Sequence, residues 1–127
     1  IVVCIDSQKN SDGSYSVVTE SGRKIERLSP LTHAKNMERM GAGEIIINSL
    51  DKDGTFTGLD KELIHSIASH LKIPVIAMGG TGSLENIKDL KDTKISSAVA
   101  VGSLFTFYGP HRAVLINYPD KDEEIFK

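Results

Sequence analysis

The sequence predicts an α/β fold in which a parallel sheet packs against helices. Four short apolar runs rich in β-branched residues recur along the chain, at residues 1–5, 44–48, 74–78 and 95–101. Continuous apolar runs of this length are typical of strands that are buried on both faces. Segments with helical periodicity lie between the later runs. Strands that alternate with helices of about ten residues are typical of βαβ units and therefore of a parallel sheet.

Three apolar stripes with helical spacing predict the helices. The stripes consist of Leu31, Ala34, Met37 and Met40; of Leu63, Ile64, Ile67, Ala68 and Leu71; and of Leu84, Ile87 and Leu90. Asp60 and Ser83 stand where the N-caps of the second and third helices are expected. Glu62 and Glu85 follow in the first turns, where acidic side chains interact favourably with the helix dipole. Gly41 is a natural stop for the first helix.

A β-hairpin is predicted between the first strand and the first helix. Two strand-like segments, residues 15–19 and 24–28, flank the sequence Glu-Ser-Gly-Arg at residues 20–23. Short polar segments of this kind, containing glycine, connect the strands of hairpins. We expect the hairpin to be an insertion in the first βα loop. Near the other end, a short helical segment is predicted around residues 104–107.

The composition indicates a single soluble domain spanning residues 1–127. Fifteen Lys and Arg against 17 Asp and Glu give a formal charge of −2, without a run of five or six like charges, which argues against nucleic-acid binding as the main function. Since the sequence has neither an apolar stretch of roughly 18 residues nor a basic signal-peptide start, we expect no membrane contact and a cytoplasmic location. The single cysteine, Cys4, lies in an apolar run and is expected to be buried.

Two glycine-containing loops predict a phosphate site at the carboxyl ends of the last two strands. Ligand-binding groups of parallel α/β proteins gather at these strand ends. One loop contains Gly79, Gly80 and Gly82, and the other contains Gly102 and Ser103. Glycine permits close approach to an anion, and N–H groups at a helix start attract it. The alternative is that these glycines only form tight turns.

Aspartates follow the first two strands. Asp6 ends the first strand and is a candidate general acid or base, the alternative being a loop cap. Asp51 and Asp53 are two residues apart in a loop that we expect to be extended, so both side chains should project to the same side. Contacts to a sugar or ribose hydroxyl, or a loop-structuring role for one of the pair, are the two interpretations. The later ligand positions of a calcium loop are absent from this segment.

No bound metal or organic cofactor is expected. The histidines, His33, His65, His70 and His111, show no metal-ligand spacing, and no nucleophile or nucleotide-triphosphate motif occurs. The sequence therefore implies no metal and no organic cofactor.

Taken in order, several segments resemble one enzyme family over nearly the whole chain. They are residues 2–6, 19–24, 41–46, 51–55, 79–82 and 98–103. In this order they closely resemble the second half of the cyclase (synthase) subunit of imidazole glycerol phosphate synthase. The resemblance implies the fold of a parallel (β/α)4 half of a (β/α)8 TIM barrel with a β-hairpin inserted after the first strand. The tail, residues 107–119, is more similar to paralogues from surface-polysaccharide pathways that make acetamidino sugars.

The family implies a lyase that receives ammonia from a glutaminase subunit and acts on a phosphorylated substrate. By this resemblance Asp6 matches one of two catalytic aspartates, and Asn48 stands where a substrate-contacting threonine is usual. The further matches are Asp53 and Gly54 in the loop lining the site, Gly80 and Ser103 in the phosphate cradle, and Glu44 in the charged gate through which ammonia is thought to pass. Met78, which stands where a serine is common, and Asn48 both depart from the family's pattern and argue against the histidine-pathway substrate.

The family's other catalytic aspartate and remaining gate residues belong to strands that have no counterpart in this sequence. A complete barrel requires roughly 200 to 250 residues. Two copies could pair edge to edge about a twofold axis, complete eight strands and place one Asp6 opposite the other. The alternatives are a non-catalytic, phosphate-binding half-barrel that self-associates, and a sugar-phosphate isomerase barrel, which would not explain the hairpin together with residues 51–54.

Overall fold

The computed structural model describes residues 1–120, and residues 121–127 of the expected domain lie outside the described part. The strands are β1 (Val2–Lys9), β2 (Tyr15–Thr19), β3 (Lys24–Ile25), β4 (Glu44–Ser49), β5 (Val75–Met78), β6 (Ala98–Ala100), β7 (Phe107–Tyr108) and β8 (Ala113–Val114). The helices are α1 (Pro30–Arg39), α2 (Lys61–Ala68), α3 (Leu84–Thr93) and α4 (Ser103–Thr106).

Four parallel strands form the centre of the fold. In the six-stranded sheet the order is β3-β2-β1-β4-β5-β6, and β1, β4, β5 and β6 run parallel. Strands β7 and β8 form a separate two-stranded sheet. Each central strand but the last is followed by a helix of eight or ten residues before the next central strand begins. The predicted α/β class with a parallel sheet is confirmed.

The core lies between the helices and one face of the sheet. Ile5, Ile45, Ile47 and Val75 alternate along their strands with residues of the other face, and all four are buried. They pack with Ala34, Leu63 and Ile67 from α1 and α2 in one cluster. A second cluster joins Ile64, Ala77 and Leu90 from α2, β5 and α3. Burial of aliphatic side chains at about 25 cal/mol per Å² makes these clusters the main source of stability.

The predicted helix ends are confirmed. The Asp60 side chain accepts a hydrogen bond from the Leu63 N–H and begins α2, and the Ser83 side chain accepts one from the Asn86 N–H at the start of α3. Gly41, directly after the C-cap of α1, has a φ of +94°, a conformation that favours glycine. Local sequence thus determines where these three helices begin or end.

The hairpin extends the sheet, because β1 is longer than its apolar run. The strand continues to Lys9, and Ser7 to Lys9 pair antiparallel with Tyr15 to Val17 of β2. Strand β3 then pairs with β2 but ends at Ile25, three residues earlier than predicted. Strand β6 is also shorter than its run and comprises only residues 98–100.

No helix among residues 1–120 covers the second face of the central sheet. Val2, Cys4 and Asp6 project there, since they alternate with residues that are buried under the helices. Val2 is 50% exposed, and Cys4 is exposed as well. The expectation that Cys4 is buried is therefore wrong, because only one of the two sheet faces is covered. Hereafter this face is called the open face.

No helix among residues 1–120 is both long and apolar enough to cross a membrane.

Truncating the core should destabilise the chain far more than truncating an exposed residue. Ile47 is 0% exposed, and Ile47→Ala is expected to lower the free energy of unfolding by about 2–5 kcal/mol, since a cavity remains. Ile116→Ala is the matched control, because Ile116 is 79% exposed and the change should stay within about 0.5 kcal/mol. Urea unfolding measures both. Equal effects would contradict the assignment of the core.

The reactivity of Cys4 should report the charge of Asp6. Partial desolvation by neighbouring atoms, followed by the negative charge of Asp6, raises the pKa of the thiol above its ordinary value. Asp6→Asn removes this negative charge, so the pKa of the Cys4 thiol should fall and its thiolate fraction at a given pH should rise. We expect faster alkylation by iodoacetamide across pH 7–9, whereas the remote control Asp92→Asn should not change the rate. An unchanged rate in Asp6→Asn would contradict this electrostatic coupling.

Candidate functional site

Parallel register brings the carboxyl ends of the four central strands into one row. Asp6 pairs with Asn48, Asn48 with Met78, and Met78 with Ala100. Because paired residues of parallel strands point to the same face, these four side chains share the open face. The loops that follow the strands extend from this row at the same end of the sheet. The sheet therefore gathers every predicted site residue except Glu44 at one edge.

Asp6 and Asn48 form a direct contact in this row. The Asn48 Nδ2 donates a hydrogen bond to the Asp6 Oδ1 at 3.0 Å. Asn48 is buried, and Asp6 is half-buried. No described residue donates a hydrogen bond to the Asp6 Oδ2, so the carboxylate is held at one oxygen only. This geometry suits a positioned acid or base.

The loop after β4, residues 50–58, separates its two aspartates. The Lys52 and Asp53 N–H groups both donate to the Ser49 carbonyl, so the segment turns rather than extends. The Asp51 Oδ2 accepts a hydrogen bond from the Lys9 N–H at 2.7 Å and ties this loop to β1. Asp53 instead lies beside a pocket. The expectation that Asp51 and Asp53 project to the same side is wrong, because the turn rotates them apart.

Close backbone packing requires the glycines after β5. Gly80 has a φ of +96°, and a Cβ there would lie 2.3 Å from the Gly58 carbonyl oxygen. A Cβ on Gly82 would lie 2.2 Å from the Phe56 carbonyl oxygen. The Gly82 N–H already donates to the Asn86 Oδ1 at 3.0 Å. Close packing against Phe56 therefore accounts for Gly82, while Gly79 and Gly80 have positive φ and line the pocket.

A small pocket lies between the three loops that follow β4, β5 and β6. Its volume is about 70 Å³, which is suited to a group the size of phosphate rather than to a whole nucleotide. The lining residues are Asp53, Gly54, Met78, Gly79, Gly80, Thr81, Ala100, Val101, Gly102 and Ser103. A Cβ built on Gly102 would meet no atom within 4 Å, so packing within the chain does not require this glycine. Six of the predicted residues thus share one pocket, whereas Gly82 does not line it.

The sequence pattern does not predict Thr81 as a site residue, although its neighbours Gly80 and Gly82 are both predicted to belong to the site. Thr81 is one of the residues that line the pocket, it is 7% exposed, and its buried Oγ1 has no hydrogen-bond partner among the described residues. A hydroxyl inside a glycine loop is a recognisable signal for anion binding. Its burial, however, depends on the packing of residues 50–58 against that loop.

Arg112 in the tail contacts the loop of residues 50–58 beside the pocket. The Arg112 Nη2 donates to the Gly54 carbonyl at 2.8 Å, and its guanidinium lies 5.1 Å from the centre of the Phe56 ring. These contacts connect the β7–β8 hairpin with the loop over the pocket. Nothing in the local sequence predicts them, because residues 54 and 112 are brought together only by the path of the tail.

A polar network fixes the hairpin to the start of α2. The Lys9 ammonium bonds Glu62 at 2.8 Å, and the Tyr15 hydroxyl donates to the Asp60 Oδ1 at 3.0 Å. The hydrogen bond with Glu62 raises the pKa of Lys9, and Lys9 in turn lowers the pKa of Glu62. Burial, with Asp60 adding to it, raises the pKa of Tyr15 to about 12. Lys9 and Tyr15 thereby hold β1 and β2 beside the loop that carries Asp53.

Glu44 lies at the other end of the sheet. It begins β4, pairs with Val2 and is half-buried. Four residues of strand separate it from Asn48, or about 13 Å at 3.3 Å per residue. In residues 1–120, no group of three or more His, Cys, Asp or Glu side chains could hold a metal ion.

Comparisons with known proteins identify relatives of about twice this length. Residues 1–111 match the family described as "Histidine biosynthesis protein". A Pseudomonas aeruginosa protein named "Putative imidazole glycerol phosphate synthase subunit hisF2" is 48% identical over 120 residues, which are 94% of this chain and 48% of that protein. The Lactococcus lactis subsp. cremoris protein named "Imidazole glycerol phosphate synthase subunit HisF" is 41% identical over 108 residues, which are 84% of this chain and 42% of that protein.

A third relative is covered to a similar extent. The Leptospira borgpetersenii protein named "Putative imidazole glycerol phosphate synthase subunit HisF" is 44% identical over 121 residues, covering 94% of this chain and 48% of that protein. The chain spans about half the length of these curated relatives. The family's proteins are TIM barrels, and the parallel sheet with helices on one face is a part of such a barrel. By its sequence match over residues 1–111 and by its fold, the chain belongs to the histidine biosynthesis protein family.

Proposed function

We propose that this chain is the carboxyl-terminal half of a cyclase subunit of the imidazole glycerol phosphate synthase type. The subunit would use ammonia from a glutaminase partner on a phosphorylated substrate. One observation carries the proposal: Asp6 and the pocket that contains Gly80 and Ser103 lie at the same end of the parallel sheet. A reacting carboxylate and a phosphate site must share one edge if they are to bind a single substrate.

Asp6 is the proposed acid or base of the reaction. Asn48 orients its carboxylate through the 3.0 Å hydrogen bond, which leaves the Oδ2 to face the substrate from the open face. Two uses of such a carboxylate are removal of a proton from attacking ammonia and proton donation to a leaving group. Asn48 also replaces the threonine usual in the family, so the substrate contacts at this position differ from those of the histidine-pathway enzyme.

The substrate's phosphate is proposed to bind in the pocket between the loops. Gly79, Gly80, Gly102 and Ser103 would approach the anion, with Gly102 free of contacts that would otherwise require glycine. Asp53 and Gly54 would contact the adjoining hydroxyls, and Asp51 would hold this loop through Lys9. Gly82 permits close packing against Phe56 rather than contributing to the anion site.

Ammonia is proposed to enter from the opposite end of the sheet. Glu44 begins β4 there, on the same face as Asp6 and Asn48. A carboxylate at the entrance of a barrel would attract ammonium or orient ammonia on its way to the reacting end. A glutaminase partner docked at this end would supply the ammonia.

The tail favours amidino-sugar biosynthesis over histidine biosynthesis as the pathway. Residues 107–119 resemble the paralogues of surface-polysaccharide pathways, and Arg112 of this tail binds the Gly54 carbonyl over the pocket. The feature that separates the chain from the histidine-pathway enzyme therefore contacts the proposed substrate site. Met78, which lines the pocket, is a second departure at the same place.

Self-association is proposed to complete the barrel. The open face leaves Val2 and Cys4 exposed, and the outer edge of β1 is paired by β2 only from Ser7 onward. Two copies joined edge to edge would cover this face and bring two Asp6 side chains to one end. The second candidate function, a phosphate-binding half-barrel without turnover, has the same surface but needs no catalytic carboxylate.

Loss of the Asp6 carboxylate should abolish turnover while leaving folding intact. The measurement is ammonia-dependent turnover of the phosphorylated substrate, with circular dichroism as the folding check. Phosphorylated precursors of amidino sugars are assayed beside the histidine-pathway nucleotide, which would be converted to imidazole glycerol phosphate and a carboxamide ribonucleotide. Asp6→Asn keeps the shape of the side chain but cannot exchange the proton, so we expect a rate decrease of about 10²-fold or more. Asp92→Asn, an exposed carboxylate on α3, is the control. Equal activity in Asp6→Asn would refute the catalytic role, and phosphate binding without any turnover would support the half-barrel alternative.

Light scattering should show a dimer. We expect twice the monomer mass of 13.8 kDa, with inorganic phosphate favouring the dimer. Val2→Asp places a charge on the open face and should shift the population toward monomer. Ile25→Asp is the matched control, since Ile25 on β3 is 54% exposed and Val2 is 50% exposed. A monomer in all conditions would overturn the proposed self-association.

A further inference from the structure

Two residues with left-handed backbone conformation meet where the tail contacts the loop of residues 50–58. Phe56 has a φ of +60°, and Arg112, in the turn between β7 and β8, has a φ of +48°. The Arg112 guanidinium lies 5.1 Å from the centre of the Phe56 ring. Left-handed backbone is unfavourable for residues with bulky side chains and persists where surrounding contacts compensate for its cost. Strain on both sides therefore indicates that the fold maintains this contact.

The β7–β8 hairpin is anchored to another wall of the pocket. Helix α4 begins at Ser103, which lines the pocket, and leads directly into β7. The Leu115 N–H donates to the Thr106 carbonyl at 3.0 Å and so bonds the end of the hairpin back to α4. The rings of Phe105 and Tyr118 lie 4.9 Å apart and add an aromatic contact. These contacts hold the hairpin beside the loop that follows β6.

Arg112 contacts the middle of a loop whose two ends are held by other contacts. One end is bonded to β1 through Asp51, and the other is bonded to the loop after β5 through Gly58. Between them, the Arg112 Nη2 donates to the Gly54 carbonyl at 2.8 Å. Gly54 and its neighbour Asp53 line the pocket. Arg112 therefore connects the pocket wall that carries Asp53 to the hairpin beside the loop after β6.

We propose that Arg112 is a positioning residue that determines specificity for the sugar part of the substrate, because it holds Asp53 beside the pocket. This inference rests on the proposed function, in which the phosphate occupies the pocket and Asp53 contacts the adjoining hydroxyls. Arginine suits this role, since its planar guanidinium can donate a hydrogen bond and lie against an aromatic ring at the same time. The phosphate itself contacts the glycine loops after β5 and β6, so its affinity should depend little on Arg112.

The test compares the affinities for ribose 5-phosphate and inorganic phosphate, titrated into the purified chain at constant ionic strength and followed by amide nuclear magnetic resonance shifts. The unaltered chain should bind the sugar phosphate about tenfold more tightly, since hydrogen bonds from its hydroxyls to the Asp53 carboxylate add to the phosphate contacts. Arg112→Ala should lower this ratio to about twofold or less, while the dissociation constant of inorganic phosphate should change by less than about threefold. Arg112→Lys keeps the charge and a donor but lacks the planar group, so its ratio should be intermediate.

Hydrogen exchange measures the position of the loop without any ligand. The Asp53 and Thr55 N–H groups donate to backbone carbonyls in or next to the loop. In Arg112→Ala these amides should exchange about fivefold faster or more, whereas the amides of β4, which belong to the core, should keep their rates. His111→Ala is the matched control, because His111 is an exposed neighbour in the same turn. It should change neither the exchange rates nor the ratio of affinities.

Several outcomes would overturn the inference while leaving the phosphate site intact. An equal loss of affinity for both ligands in Arg112→Ala would mean that Arg112 acts on the phosphate, and an unchanged ratio would mean that it does not position Asp53. Faster exchange throughout β4 would show a role in the stability of the fold instead. Absence of phosphate binding by the unaltered chain would refute the proposed phosphate site itself, and the exchange rates of the loop would then decide whether Arg112 holds it.

Discussion

The register of the four parallel strands is the constraint on which the site depends. Burial of Ile5, Ile45, Ile47 and Val75 under the helices determines which face of each strand is covered. A shift of one residue would turn these side chains to the open face and place polar ones in the core. The same register aligns Asp6 with Asn48, so hydrophobic packing on one face positions the carboxylate on the other. Stability and the proposed chemistry therefore share one structural cause.

The pocket depends on close contact between two loops. Glycines after β5 let the backbone approach residues 56 and 58, and the Gly58 N–H donates to the Gly80 carbonyl at 2.8 Å. This packing buries Thr81 while its hydroxyl stays unpaired. Phe56 adopts a φ of +60°, which is unfavourable for a residue with a bulky side chain. Positive φ and an unpaired polar atom at the same place are typical of binding sites, where ligand contacts offset local costs.

The uncovered face explains the exposed thiol and agrees with the proposal that a second half-barrel covers it. In a complete barrel the inward side chains pack against one another and fill the interior. Here Cys4 and Val2 remain exposed, although each lies in a run that is apolar enough for a core strand. The relatives that match this chain are about twice its length. An exposed apolar face is thus what the proposed half-barrel would be expected to show.

The sequence alone determined the α/β class, the helix ends and the strand ends that carry the site. These features follow from local patterns: apolar runs, side-chain spacing, the caps at Asp60 and Ser83, and the glycine after α1. Tertiary structure decided the divergence of Asp51 and Asp53, the extension of β1, the exposure of Cys4 and the burial of Thr81. It also brought Arg112 to Gly54, 58 residues away along the chain. Periodicity predicts which residues share a face, but turn geometry and the cover over each face arise only from contacts between distant segments.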